Sequence, residues 1–127
     1  MNSAIVVSNS FELSWSWTAD HLHQIWLQQG PVQLVRLGQG ETSAAHEALD
    51  AADQVTRLVC FGAPFTEASL PAMSGLRELA APVEDSLRSQ LAEAGIRLIE
   101  HQSEGFWGQS VAEFALGLTI CGLRRIP

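Results

Sequence analysis

The sequence predicts an α/β fold, an open parallel five-stranded sheet with helices on both faces. Short apolar runs rich in β-branched residues alternate five times with segments of helical periodicity, and parallel strands that are buried on both faces have this composition. Glycines follow several of these segments and mark their ends. A chain of 127 residues is also long enough to bury one core.

The strands are predicted at residues 4–7, 32–37, 57–61, 76–80 and 96–99. In the first helix, Thr18 is expected to cap a segment that runs to residue 29 and ends at Gly30. Its Leu22, Ile25 and Trp26 share one face. The residues between the first strand and Thr18 are expected to form a loop in which Trp15 and Trp17 pack.

Further helices are predicted from residue 42 or 43 to 53 and from 84 to 94, with a short helical turn over 66–73. The inward positions are expected to be Ala45, Leu49 and Ala52 in the former helix and Leu87, Leu91 and Ala94 in the latter. Five strand–helix units favour the flavodoxin-like strand order 2-1-3-4-5. The strands at 4–7 and 57–61 are then adjacent and central.

A final helix is predicted over residues 108–125, and it carries two apolar stripes. At 100° per residue, the stripes comprise Val111, Phe114 and Leu118 on one side, and Leu116, Ile120 and Leu123 on the other. One stripe is enough to cover a sheet, so we expect the second to contact another domain or another chain. A symmetric dimer, or an exchanged arrangement through this helix, is the expected result. A helix that is simply well buried is the alternative.

The composition excludes several classes of function. The net charge is −7, all seven cations are arginines and lysine is absent. An acidic chain without basic clusters is a poor ligand for nucleic acid or anionic membranes. Without lysine, P-loop, pyridoxal and receiver-domain chemistry are excluded. No signal peptide is recognisable at the N-terminus, so a cytoplasmic location is expected.

Cysteine and histidine give little sign of a metal site. Cys60 and Cys121 lie inside apolar runs and are expected to be buried free thiols. No zinc-ligand spacing is present. His46 is expected to be solvated on a polar helix face, whereas His101 follows the fifth strand at the edge where open α/β sheets bind ligands.

The end of the chain carries a family resemblance. Residues 110–118 read SVAEFALGL and residues 123–127 read LRRIP. This segment resembles the helix that opens the nucleotide-binding half of D-isomer-specific 2-hydroxyacid dehydrogenases. Upstream, LPAM at 70–73, Leu76-Arg77 and AEAGI at 92–96 also look like stretches of that family. The resemblance covers roughly the second half of the chain and is most specific at the last helix.

The resemblance implies that residues 1–107 form a substrate-binding domain and that residues 108–127 form an interdomain helix. NAD or NADP would belong to a nucleotide-binding domain outside this chain, and the chain alone is expected to bind no cofactor and to be inactive. It contains no Gly-x-Gly-x-x-Gly motif, and no family catalytic residue matches a position here. The expected substrate-binding residues are Phe61, Gly62, Ala81 and Val83.

The loop after the fourth strand departs from the family pattern. The family places glycines there, whose backbone N–H groups bind the substrate carboxylate, but this chain has Ala80, Ala81, Pro82 and Val83. Pro82 has no N–H to donate. Glu84 adds negative charge, although an acidic residue also favours the N-terminus of the helix that follows.

Two functions therefore stay open. The first is the substrate-binding domain of an NAD(P)-dependent oxidoreductase that acts on the CH–OH group of a small 2-hydroxyacid. The second is a stand-alone, non-enzymatic flavodoxin-like module that binds a protein partner through its last helix. A strand with Gly-x-Gly-x-x-Gly encoded directly after residue 127 would favour the first function, and a stop codon there would favour the second.

Overall fold

The computed structural model describes residues 2–38 and 43–100. The strands are β1 (Ser3–Val7), β2 (Val32–Arg36), β3 (Arg57–Phe61), β4 (Glu78–Ala80) and β5 (Arg97–Ile99). The helices are α1 (Asn9–Leu27), α2 (Ala45–Ala48), α3 (Ser69–Ala72) and α4 (Asp85–Glu93), and a 3₁₀ turn spans Ala52–Gln54. None of the helices in the described ranges is both long and apolar enough to cross a bilayer.

All described strand pairs are parallel, and the strand order is β2-β1-β3-β4-β5. The predicted fold class and strand order are therefore confirmed. β1 and β3 are adjacent and interior, as predicted, with Ile5 opposite both Leu34 of β2 and Val59 of β3. Every residue of β1 is buried, which fits its position in the middle of the sheet.

The alternation of side chains along the strands divides the core into two layers. Ala4 and Val6 pack in one cluster with residues of β3, β4 and α4, including Leu87 and Leu91. Ile5 packs in the other cluster, together with Val7 and with residues of α1. Because successive side chains of a strand point to opposite faces, α4 and α1 cover opposite sides of the sheet.

The first helix is longer than predicted and begins at Asn9, directly after Ser8. Ser8 and Asn9 are residue types that favour helix N-termini, and the Ser8 N–H donates to the Phe61 carbonyl at 2.8 Å. The prediction that Thr18 caps the helix was wrong, because Thr18 lies inside α1, where its buried hydroxyl has no described hydrogen-bond partner. Trp17 is likewise helical, and its 64% exposure is inconsistent with packing in a loop.

Other predictions for this helix hold in part. Leu22 and Trp26 pack against the sheet beside Ile5, but Ile25 is 43% exposed and does not share their buried face. The N-terminal extension carries Trp15 into α1 as well. The helix therefore covers β1 and β2 with its second half.

The second predicted helix is broken, because α2 ends at Ala48 and Leu49 is extended. The side chain of Gln33 in β2 binds the backbone of Asp50 instead. The Asp50 N–H donates to Gln33 Oε1 at 2.8 Å, and the Asp50 carbonyl accepts from Gln33 Nε2 at 3.1 Å. These bonds replace the backbone partners that a continuous helix would give Asp50. Ala45 and Leu49 are buried as predicted, whereas Ala52 is half-buried.

α4 matches its prediction closely, and its end is well defined. Gly95 has φ +75°, its N–H donates to Ala92, and the Ile96 N–H donates to Leu91. This pair of bonds is a Schellman motif, in which Ile96 and Leu91 pack together in the core. Ala94 is exposed, contrary to the prediction, because it lies at the C-cap and outside the buried stripe.

The predicted helix over residues 108–125, both of its apolar stripes and the expected dimer contact lie outside the described residues. His101 and Cys121 lie outside them as well.

Candidate ligand-binding site

The carboxyl ends of three adjacent strands form a cleft that contains all four residues predicted to bind substrate. Phe61 ends β3 and Gly62 follows it, while Ala81 and Val83 follow β4. Parallel strands end at a common edge of the sheet, where open α/β folds bind their ligands. These four residues line a cleft of about 640 Å³, which we call the β3–β5 cleft.

Part of the lining of the β3–β5 cleft is a row of apolar side chains on the side of the sheet that faces α1. Val59, Ala80 and Ile99 lie in one row across β3, β4 and β5, because Val59 pairs with Ala80 and Ala80 pairs with Ile99. Ile99 leaves 46% of its surface exposed. An exposed row of aliphatic side chains offers a binding surface for the apolar part of a ligand.

One end of the β3–β5 cleft is charged. Arg88 of α4 forms two hydrogen bonds with the carboxylate of Glu100, which follows β5. Its Nε donates to Oε2 at 3.1 Å, and its Nη2 donates to Oε1 at 2.8 Å. The remaining guanidinium nitrogen, Nη1, donates to Asp85. The hydrogen bond and the charge of Glu100, followed by the charge of Asp85, raise the pKa of Arg88 above its ordinary value.

A second cleft of about 700 Å³ adjoins the first and shares Gly62, Pro82 and Val83 with it. We call it the α3–α4 cleft, since residues 62–68 and Leu87 complete its lining. Among its lining residues that the structure describes, the charged ones are Glu67 and Glu84. This side of the carboxyl edge is therefore acidic.

Gly62 joins the two clefts and shapes the turn after β3. Its φ of +78° lies in the left-handed region, which glycine adopts at no steric cost. Gly62 also bridges Val7 at the end of β1. This bridge joins the ends of β1 and β3, the two strands between which the order along the sheet changes direction. The two clefts do not lie at that point but over β3, β4 and β5.

The structure corrects the prediction for His46, which was expected to be solvated. Only 16% of its side chain is exposed, and its Nδ1 lies 2.8 Å from Oγ of Ser69. Ser69 is completely buried and also accepts the Thr66 N–H at 3.1 Å. A serine this inaccessible cannot reach a substrate, so the pair connects α2 to α3 and fixes the loop at residues 64–66. The sequence signal that could have revealed it is Thr66-x-x-Ser69, a spacing typical of helix N-termini.

Cys60 is buried, as predicted. Burial raises the pKa of its thiol to about 12, because a thiolate would be poorly solvated there. It is therefore a neutral core side chain rather than a nucleophile. No group of three or more potential metal ligands occurs in residues 2–38 and 43–100.

Comparison with protein-family models, with curated proteins and with solved structures found no match to this chain.

Proposed function

We propose that this domain binds the substrate of an NAD(P)-dependent oxidoreductase that acts on the CH–OH group of a 2-hydroxyacid. The observation that supports the proposal is the convergence of Phe61, Gly62, Ala81 and Val83 on one cleft at the carboxyl edge of the sheet. In an open α/β fold this is the edge where ligands bind. The resemblance of residues 110–118 to the dehydrogenase helix supplies the reaction class.

The described residues do not fit a dinucleotide. A pyrophosphate site of this type needs a glycine-rich turn between the first strand and the first helix, and here Ser8 alone separates β1 from α1. In this proposal NAD or NADP, and the catalytic acid and base, belong to a second domain outside this chain. A free thiol at Cys60 and the use of NAD(P) both fit a reducing, cytoplasmic compartment.

The role of this domain is to bind and orient the acid. Gly62, Ala81 and Val83 bring peptide groups to the lining of the β3–β5 cleft, and peptide N–H groups bind carboxylates well. Phe61 and the row formed by Val59, Ala80 and Ile99 can shield the remainder of the ligand from water.

Amide NMR spectra of the ¹⁵N-labelled chain, titrated with pyruvate, glyoxylate and hydroxypyruvate, test the proposal. We expect saturable shifts at Gly62, Ala81 and Val83. Val83→Glu places a carboxylate in the cleft and should weaken binding by about 1 kcal/mol, or roughly fivefold. Leu27→Glu adds the same charge at an exposed position at the end of α1 and should leave binding unchanged. Shifts confined to residues outside the two clefts would refute the proposal.

A second candidate function is a non-enzymatic module that binds a protein partner through residues 108–125. The observation that favours it is the sequence of that segment, in which a helix would carry two apolar stripes. Such surface is often an interaction site when it is contiguous. The absence of any acid binding in the NMR titration would favour this candidate over the first.

A further inference from the structure

One side of the sheet is only partly covered by the described helices. α2, α3 and α4 pack in the cluster that contains Leu87, whereas α1 packs on the opposite side with Ile5. On that side α1 lies over β1 and β2, and its Trp26 reaches β3, where Arg57 stacks on the indole ring. In the described ranges no helix covers the α1 side of β3, β4 and β5, which we call the open face.

The direction of the chain explains why this face is open. Connections between parallel strands are right-handed, so the side on which a crossover helix lies depends on the direction of travel along the sheet. The chain moves from β1 to β2 in one direction and from β3 through β4 to β5 in the other. The helices of these two parts therefore lie on opposite sides, and the open face has to be covered by a segment outside the crossovers or by another molecule.

The open face has an apolar half and a charged half. The row of Val59, Ala80 and Ile99 lies toward the carboxyl ends of the strands. Two positions earlier on each strand lies a charged row, formed by Arg57, Glu78 and Arg97. A groove of about 140 Å³, lined by Trp26 and by residues of both rows, borders α1.

α1 also presents an exposed apolar side chain toward the open face. Its Asp20 pairs with Arg36 of β2, which marks the side of the helix that turns away from β3. Ile25 lies about 140° around the helix from Asp20 and is 43% exposed. A segment placed on the open face beside α1 would therefore contact Ile25 as well as Ile99.

Residues 101–127 of this chain can reach the open face. They follow Glu100, which comes directly after Ile99 at the carboxyl end of β5. Residues 101–107 span up to about 23 Å when extended, which exceeds the roughly 10 Å between packed layers. A helix over residues 108–125 would be about 27 Å long, enough to cross strands of three to five residues.

The positions of the two apolar stripes along such a helix decide which of them meets the sheet. The helix would begin near the carboxyl edge, beside the apolar row, and run antiparallel to β5. Phe114 lies about 9 Å and Ile120 about 18 Å along it from residue 108, whereas the apolar and charged rows are about 7 Å apart. The stripe that contains Phe114 therefore falls on the apolar row. The stripe that contains Ile120 points in nearly the opposite direction.

We propose that residues 108–125 cover the open face of their own chain as a helix beside α1, with the Phe114 stripe against the row that contains Ile99. The Ile120 stripe faces outward and is available to another domain or chain. The contact covers the apolar row and leaves the carboxyl edge, with Gly62 and Val83, accessible to a ligand. It does not rest on the proposed function, and its test involves no ligand.

Methyl NMR of the full chain tests the contact directly. We expect nuclear Overhauser effects between the methyl groups of Ile99 and the ring of Phe114, whose signals are assigned with Phe114→Leu. A mixture of labelled and unlabelled chains identifies the occupant, because contacts within one chain vanish from a spectrum filtered for pairs between chains. Persistence of the effects in the filtered spectrum would overturn the proposal, as would contacts of Ile99 with Ile120 instead of Phe114.

Urea denaturation measures how much the contact stabilises the fold. If the segment covers Ile99, Ile99→Ala should reduce the ratio of folded to unfolded protein at least about tenfold. Leu27→Ala is the matched control, because Leu27 is similarly exposed, at 47% against 46%, and lies on the Asp20 side of α1. The control should change the ratio less than about threefold. Equal losses in the two variants would contradict the coverage of Ile99.

A double-mutant cycle between Ile99→Ala and Phe114→Ala isolates the pair from other effects of each substitution. We expect a coupling of about fivefold or more in the unfolding equilibrium, and no coupling when Ile120→Ala replaces Phe114→Ala. Additive effects of Ile99→Ala and Phe114→Ala would overturn the proposal. The unfolding midpoint of the wild type should not depend on protein concentration, and a midpoint that rises with concentration would assign the contact to a second copy instead.

Discussion

Replacing Ser69 with alanine tests whether the buried Ser69–His46 pair holds the loop that lines the α3–α4 cleft. The Ser69 hydroxyl is fully buried and has two close partners, the Thr66 N–H at 3.1 Å and Nδ1 of His46 at 2.8 Å. Each hydrogen bond contributes about 1 kcal/mol net, and a buried polar group that loses its partner costs about 1–3 kcal/mol. We therefore expect Ser69→Ala to lower the free energy of unfolding by about 2–4 kcal/mol.

Urea denaturation followed by tryptophan fluorescence measures this change. Ser86→Ala on α4 is the matched control, because Ser86 is exposed and alanine is the better helix former. The control should be neutral or slightly stabilising. A loss below about 0.5 kcal/mol for Ser69→Ala, within the usual range for surface substitutions, would refute the structural role of the pair. Amide shifts of Thr66 and Glu67 in the variant would show whether the cleft wall moves.

Two further predictions concern the core. In Gly75→Ala, the new Cβ would lie 2.5 Å from the Asp53 carbonyl oxygen, so the backbone must shift at a cost of about 1–3 kcal/mol in urea denaturation. Gly95→Asn is the control, since asparagine tolerates a φ of +75° and no atom lies within 4 Å of a Cβ at this position. An equal loss of stability in both variants would contradict the steric explanation. Burial raises the pKa of Cys60 from 9.0 to about 12. In a Cys121→Ser background, the contribution of this thiol to stability should therefore be constant below about pH 9. It should fall as pH rises from about 9 to 12, because only the unfolded thiol ionises there. Thermal unfolding at a series of pH values measures this, and a Cys60→Ala variant with the same alkaline slope would rule out the thiol as its source.

The strand predictions succeeded because the periodicity of apolar residues is a local signal. The apolar run at 57–61 lies in the structure as Arg57–Phe61. The end of α4 follows from Gly95, the predicted stop, whose N–H donates to the Ala92 carbonyl. Alternation predicted a parallel sheet, since parallel strands need crossover connections. The order came from the flavodoxin-like arrangement that five strand–helix units favour. The same topology rule brought Phe61 and Val83 to one edge.

The errors arose where a distant residue determines local structure. The helix that begins at Ala45 stops early because Gln33 of β2 binds the backbone of Asp50. His46 is only partly exposed because it packs against Ser69 of α3, although the pattern of its own helix placed it on a polar face.

The sequence by itself determined the fold class and the strand order, and it indicated the edge of the sheet at which Phe61, Gly62, Ala81 and Val83 lie. The tertiary structure alone decided the charge of that edge. Arg88 and Glu100 are both exposed-type residues on separate elements, and nothing in their spacing indicates that they form a two-bonded pair at the end of an apolar cleft. Periodicity records which face of an element is apolar, because burial acts on every residue of that face. Pairing between individual polar side chains depends on how α4 and β5 are brought together in space. That arrangement does not produce a repeating pattern in the sequence.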